Sequence, residues 1–310
     1  MALLHGFEKP ELYRGGYVAI GNFDGVHLGH QRMIETLTKR AQAANVPAVV
    51  LTFDPHPIML LKPEFVPPRL TTLQTKSELL HEYGVDHVIA YPTDEQLLNM
   101  TPEEFFEQFL LQELEVRGLV EGPNFFFGRN RSGNVDTLRE LCEPHSLSLD
   151  VISAVKVDDE HVSSSAIRKA ISGGDFKKAF HMLAHGYALV GTVREGDGRG
   201  RTLGFPTANL ADVETLIPVD GVYGGWCEVN GKKYAAAVNI GTNPTFARDE
   251  HKIEVHLIDF SGDLYDTELK VQLVWWVRDV QSFPSAEELQ QQLKKDLKVI
   301  RNTIGKFGYL

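Results

Sequence analysis

The sequence predicts an α/β domain built on a mostly parallel sheet over residues 1–185, then a closed antiparallel β-barrel with a terminal helix over residues 186–310. Three observations carry this reading. Apolar runs of strand length alternate with runs of helical spacing through the first half, the rhythm of a parallel sheet covered by helices. After about residue 185 the chain changes to short β-like runs divided by Gly, Asp and Asn turns, and many short strands need closure to hide their edges. At 310 residues the chain also exceeds what one core usually holds.

The elements follow in order. YVAIGNF (17–23) reads as a buried strand, followed by a turn rich in Gly and His. QRMIETLTKRAQAA (31–44) has helical spacing through Met33, Ile34, Leu37 and Ala41. PAVVLTF (47–53) is the next strand, ended by DPHP, and TTLQTKSELLHEYG (71–84) a helix with Gly at its end. DHVIAYP (86–92) and VRGLVEG (116–122) read as further strands. Between them TPEEFFEQFLLQEL (101–114) has a Thr cap, Pro in its first turn and early acidic residues, the marks of a helix start. In the second half YALVGTVREG, GVYGGWCEV, KKYAAAVNIG, HKIEVHLIDF and ELKVQLVWWV read as strands. SAEELQQQLKKDLKVIRNTI (285–304) is a Ser-capped helix with Leu289, Leu293, Leu297 and Ile300 along one side, expected to pack on the barrel. The join between domains is expected near residues 182–187.

Composition narrows the function. The formal net charge is −11 with no Lys/Arg run, which speaks against a nucleic-acid footprint. An anionic ligand would then be met by backbone N–H groups, helix ends, a few Arg residues or a metal. Cys142 and Cys227 make neither a disulfide framework nor a metal cluster, so a reducing compartment is expected. No apolar run is long enough for a membrane span, and MALLHGFEKP has no basic segment leading into an apolar core. The expected setting is cytoplasmic, with small-molecule substrates and neither membrane nor nucleic acid as partner. A weak or transient homo-oligomer is compatible with the sequence.

The sharpest local feature is GNFDGVHLGHQ (21–31). Gly21, Gly25 and Gly29 permit close backbone approach, and His27 and His30 lie three apart where a helix would begin. A helix start offers free N–H groups to phosphate, and two imidazoles there can donate to phosphate oxygens. Alternatively, one His caps the turn and the other is simply packed. In the second half, GTVREGDGRGRTLGFPTANL (191–210) suits either a loop folding over phosphates or a mobile hairpin. After Pro206, the hydroxyl of Thr207 and the side-chain carbonyl of Asn209 stand two apart on extended backbone and can ligate Mg²⁺. On KIEVHLIDF, Glu254 and His256 share one face, so Glu254 is either a solvent-facing acid or a general base for a substrate hydroxyl.

These segments resemble the bacterial bifunctional riboflavin kinase/FAD synthetase family. GNFDGVHLGH looks like the extended HxGH signature of nucleotidylyltransferases, and LTFDPHP (51–57), EGPNFFFGRNRSG (121–133) and VSSSAIRKAI (162–171) match the same family in order. GRGRTLGFPTANL, GVYG, NIGTNPTF and EVHLIDF are similar to its kinase module. The resemblance, over residues 14–305, implies a Rossmann-like nucleotidylyltransferase domain and a six-stranded Greek-key barrel. It implies that riboflavin is phosphorylated to FMN, and FMN adenylylated to FAD, with ATP and Mg²⁺. It places His27 and His30 on ATP phosphates, with Gly21, Asn22, Phe23, Asp24 and Gly25 shaping the turn. Asn124 and Arg129 would lie near the substrate, Ser163, Ser164 and Arg168 on nucleotide phosphate, and Asp54, Pro55 and His56 on the flavin side. Thr207 and Asn209 would hold Mg²⁺–ATP in a site completed by Gly204 and Pro206, with Glu254 as base for the ribityl 5′-hydroxyl.

Several plainer readings stand beside these. Asp54 and His56 can merely end a strand, a Ser can simply cap AIRKAI, and Phe125, Phe126 and Phe127 read as core, since three consecutive aromatics cannot all face one ligand. LAHGYALVG (183–191) replaces the family's usual Gly-Arg-Pro approach to the barrel, and Phe126 stands where the family commonly has a polar or basic residue. Alternatives for the whole chain are a single-activity member or a non-catalytic flavin- or nucleotide-binding regulator.

Overall fold

The computed structural model describes residues 1–196, 198–242 and 251–307. Residues 243–246 of the NIGTNPTF segment therefore lie outside the described residues. The chain forms two compact units, Met1–Pro67 with Leu73–Ser163, and Pro68–Thr72 with Ser164–Leu310.

In the first unit, strands β1 (Ala2–His5), β2 (Tyr17–Ile20), β3 (Ala48–Phe53), β4 (His87–Tyr91), β5 (Gly118–Glu121) and β6 (Ser148–Val151) form one sheet in the order β1-β4-β3-β2-β5-β6. Every pair is parallel. Alternate residues point to opposite faces. Val49, Leu51 and Leu119 pack beneath Phe106, Phe109 and Leu110, whereas Val50, Val88 and Val120 pack against Ile34, Leu37 and Leu80.

The departures from expectation are local and have physical causes. β2 stops at Ile20, because the chain then turns through positive φ at Phe23 (47°), Gly25 (83°) and Val26 (38°). Helix α1 (Leu28–Ala44) consequently starts three residues before the predicted position, with His27 as its cap. The predicted helix over 101–114 begins at Pro102 under a Thr101–Glu104 capping box, then widens into π-helical turns over Phe106–Glu113. β1 and β6 have four residues each and occupy the sheet edges, where a short run carries little periodic signal.

In the second unit, strands β7 (Tyr187–Arg194), β8 (Ala208–Ala211), β9 (Gly221–Val229), β10 (Lys232–Thr242), β11 (His251–Leu257) and β12 (Glu268–Arg278) close an antiparallel barrel in the order β7-β8-β11-β10-β9-β12. The extended backbone expected after Pro206 is present, and from Ala208 onward it supplies β8. Helices Ser164–Ser172 and Phe176–Leu183 belong to this unit, and Phe176 packs edge-on against Tyr187 and Tyr223.

The terminal helix Ala286–Phe307 buries Ile300 and Ile304 with Ala235 and Ile258. Arg278, at the end of β12, grips Asp296 of this helix through two donor atoms, Nε at 3.0 Å and Nη2 at 2.8 Å from Oδ2. Gln292 donates to the other oxygen of Asp296 at 2.8 Å. Removing one partner of such a pair leaves the other buried and unpaired. Asp296→Ala should therefore destabilise the barrel by about 3–5 kcal/mol, read as an earlier barrel transition in urea denaturation.

Candidate functional sites

Strand order reverses between β2 and β5, since β3, β4 and β1 lie on one side and β6 on the other. Crevices that take ligands open beyond the carboxyl ends of strands at such a point. Here the β2–β5 pairing reaches only Val18 opposite Leu119, although β2 continues to Ile20 and β5 to Glu121. The parted ends open a cavity of about 690 Å³, lined by Asn22, His27, His30, Glu121 and Asn124 among others, a size that suits a nucleotide.

Helix α1 points its start at this cavity. His27 is buried, and its Nδ1 accepts from the backbone N–H of His30 at 3.4 Å. Its Nε2 is therefore the nitrogen that carries hydrogen in the neutral ring. The His27 and His30 rings stack with centroids 3.7 Å apart and 15° between planes. Burial holds His30 well below the usual imidazole value of 6.5, and the neighbouring His27 and Lys76 charges push the same way. His30 Nδ1, Asn22 Oδ1 and Glu121 Oε2 are all buried without a hydrogen-bond partner. Orphaned polar atoms are uncommon in folded proteins, and three around one cavity mark a place for a polar ligand.

The other residues singled out from the sequence fall in several places. Gly21, Asn22, Phe23, His56, Asn124 and Ser163 line the cavity with the two histidines. Asp24 and Gly25 are buried within the turn. Asp54 and Pro55 lie behind the wall, where the Pro55 carbonyl accepts from Thr93 Oγ1 at 2.5 Å. His56 Nδ1 accepts from Ile58 N–H at 3.1 Å and so shapes the turn after β3. Arg131 lines the cavity whereas Arg129 does not, and the Arg131 guanidinium sits 4.6 Å from the centroid of Phe126. The expectation that all three phenylalanines are core is corrected here. Only Phe127 is buried; half-buried Phe125 stacks on it at 5.3 Å and lines the cavity, and extended backbone turns exposed Phe126 onto the same wall. Ser164 and Arg168 belong to the second unit, where Arg168 Nε donates to the Pro68 carbonyl at 2.7 Å.

The barrel has two cavities that share Thr207 as a wall. One, about 340 Å³, is lined by Asn239, Glu254, His256, Leu289 and Leu293 among others. The second, about 540 Å³, is lined by Arg201, Pro206, Phe260 and Tyr265 among others. Part of the apolar stripe expected to pack on the barrel, Leu289 and Leu293, thus faces a cavity. Asn209, Glu254 and Asn239 form a row across β8, β11 and β10, because the register pairs Asn209 and Asn239 each with Glu254. Asn239 Nδ2 donates to Glu254 Oε2 at 3.4 Å. Sequence reasoning gave Asn239 no role, although its place in an alternating strand marked the face it shares.

The Pro206 carbonyl can only accept, so His256 Nδ1 must donate to it across 2.8 Å, tying β11 to the turn before Thr207. Two glycines lie close against the side chains of Asn209 and Thr207. A Cβ on Gly196 would sit 2.1 Å from Asn209 Nδ2, and one on Gly200 would sit 2.4 Å from the Phe205 carbonyl and 3.2 Å from Thr207 Oγ1. Gly204 takes φ 83°, giving the turn into Phe205 and Pro206 a left-handed residue. Among the described residues no three His, Cys, Asp or Glu side chains gather to hold a metal.

Comparisons with known proteins agree on both units. A family model described as FAD synthetase matches residues 9–166, and one described as riboflavin kinase matches residues 183–304. The bifunctional riboflavin kinase/FMN adenylyltransferase of Escherichia coli strain K12 is 35% identical over 294 residues, covering 94% of this chain and 93% of its own. The protein of the same name from Pseudomonas fluorescens is 35% identical over 304 residues, covering 97% of each chain. A crystal structure described as a macrolide-efflux protein from Streptococcus pneumoniae shares 29% identity with a TM-score of 0.85, covering 97% of this chain and 99% of its own. Among the described residues of the present chain, no helix is long and apolar enough to cross a membrane.

The depressed His30 pKa gives a pH signature. Folding favours its neutral ring, so the stability it contributes is present above pH 6.5 and lost as pH falls from there through the lower folded value. Thermal melts across this acidic range should show the loss in the parent protein, and His30→Gln should flatten it.

Proposed function

The chain belongs to the bifunctional riboflavin kinase/FMN adenylyltransferase family, and on that premise we propose how its two units divide the work. The chain phosphorylates riboflavin to FMN and transfers an adenylyl group from ATP to FMN, giving FAD and pyrophosphate. The barrel, residues 186–310 in this proposal, carries the kinase step, and residues 1–185 carry adenylyl transfer. The observation that supports the first assignment best is Thr207 standing between two cavities, one of which holds Glu254. That arrangement suits a flavin on one side and ATP on the other.

In the kinase step Glu254 takes the proton of the ribityl 5′-hydroxyl as that oxygen attacks the γ-phosphorus of ATP. The bond from the γ-phosphorus to the β–γ bridging oxygen breaks and ADP departs. Asn239 holds the Glu254 carboxylate in position from the neighbouring strand. Thr207 and Asn209 offer hard oxygen donors of the type Mg²⁺ prefers, and their residue types fit that ion. When bound, Mg²⁺ supplies charge neutralisation at the phosphates. Pro206 and Gly204 hold the turn that presents Thr207, and His256 secures it.

In the adenylyl step a phosphate oxygen of FMN attacks the α-phosphorus of ATP and pyrophosphate leaves. A phosphate monoester is already nucleophilic, so alignment and charge stabilisation do most of the work. The start of α1 and the N–H groups of His27 and His30 receive developing charge. Asn22 and Asn124 offer neutral donors, while Ser164 and Arg168 take nucleotide phosphate on the family resemblance alone.

We also place the protein in the cytoplasm, a reading supported by the free, buried thiols of Cys142 and Cys227. The net charge of −11 supports small-molecule substrates over nucleic acid.

Chromatography of riboflavin, ATP and Mg²⁺ with purified protein should show FMN first and FAD later. Glu254→Gln should slow FMN formation by about 10²–10⁴-fold while leaving FAD formation from supplied FMN intact. His30→Ala should do the reverse. Unaltered riboflavin phosphorylation in Glu254→Gln would remove Glu254 as the base.

A further inference from the structure

Glu121 has no part in the mechanism above, yet it stands where the sheet opens. Its side chain is 1% exposed. Oε1 accepts from the backbone N–H of Ile20 at 2.8 Å, replacing the ladder contact that ends at Val18 and Leu119. The other oxygen, Oε2, is buried and has no hydrogen-bond partner. Burial pushes the carboxyl well above its ordinary value, opposed only by the Ile20 N–H bond. Burial in such a place favours the protonated carboxyl, and that form can donate a hydrogen bond from Oε2.

The chemistry of the cavity indicates what this donor would meet. Phosphate belongs at the helix start, beside His27 and His30. Met33 lies three residues beyond His30 and so on the same helix face, and a Cβ placed on Gly122 would contact its sulfur at 3.7 Å. Glu121 therefore lies about one turn along α1 from the phosphate end. The cavity wall there includes Met33, Gly122 and Ile152. Apolar walls with one neutral donor suit a planar heterocycle that carries acceptor atoms, and they suit a polyanion poorly.

We propose that Glu121 recognises the base of ATP: Oε1 holds the parted strand ends at fixed width through Ile20, and the Oε2 hydroxyl donates to an acceptor of the base. The inference rests on adenylyl transfer occurring in this unit. It makes Glu121 a specificity-determining residue for the nucleotide, distinct from the groups that act on phosphate.

The test starts from FMN, varies ATP, and compares the parent protein with Glu121→Met and Glu121→Gln. Methionine has similar length but neither accepts from Ile20 nor donates, so the KM for ATP should rise about 3- to 10-fold. The KM for FMN and the rate of riboflavin phosphorylation should stay level. Glutamine keeps one acceptor and one donor without charge, so it should recover most of the loss. An unchanged KM for ATP in Glu121→Met overturns the proposal. A change confined to kcat or melting temperature does so too, since it reduces Glu121 to a strut. Glutamine as damaging as methionine would show that the ionised carboxylate is needed, and would overturn it even if Glu121→Met failed to fold. A parent protein that phosphorylates riboflavin but forms no FAD from FMN would instead remove the adenylyl-transfer reading, and this inference with it.

Discussion

The parallel sheet gives up its hydrogen-bond ladder between β2 and β5 before either strand ends, and the first candidate site depends on that parting. Had the ladder run on to Ile20 and Glu121, the strand ends would be sealed and α1 would start over closed backbone. Instead Ile20 N–H is satisfied by a side chain, and the opening reaches the floor of the sheet. The left-handed residues Phe23, Gly25 and Val26 then bring the chain round so that His27 caps the helix facing that opening. A strained turn, a cap and a crevice are thus consequences of one topological reversal. The strain of non-glycine residues at positive φ is the kind that clusters at functional sites.

Closure supplies the corresponding constraint in the barrel. β8 has only four residues, yet it lies between β7 and β11 and completes the ring. Its register brings Asn209 beside Glu254, while β10 brings Asn239 to the opposite flank. Side chains held on three strands of a closed barrel keep a fixed mutual placement, the condition a reaction dependent on alignment requires. At the approach, Gly196 and Gly200 let the backbone lie on Asn209 and Thr207 more closely than a side chain would permit.

Much of this was legible in the sequence, for identifiable reasons. The spacing of His27 and His30 after a buried strand located the first site, and the alternation of KIEVHLIDF placed Glu254 and His256 on one face. What escaped depended on contacts between distant segments. Glu121 reads as an ordinary charged residue closing a strand, and only the parting of β2 from β5 makes it a buried acid. Arg131 is indistinguishable from Arg129 in sequence, but the backbone takes positive φ at both Asn130 (56°) and Arg131 (59°), turning the second arginine onto Phe126. The extended backbone after Pro206 was legible, but its pairing on both edges, with β7 and β11, was not.

The charge of the first cavity follows from the same burial. A chain of net charge −11 that bound a polyphosphate through surface lysines would set a local attraction against a repulsive background. In this crevice burial disfavours the charged forms of both His30 and Glu121, while Lys62 and Arg131 stand on the cavity wall. The start of α1 adds its N–H dipoles at the same opening, a setting that favours an anion. Dipoles fixed by the fold need no reorganisation as charge develops on a bound group. An ionised Glu121 would place a negative charge in the same cavity, and burial disfavours that form.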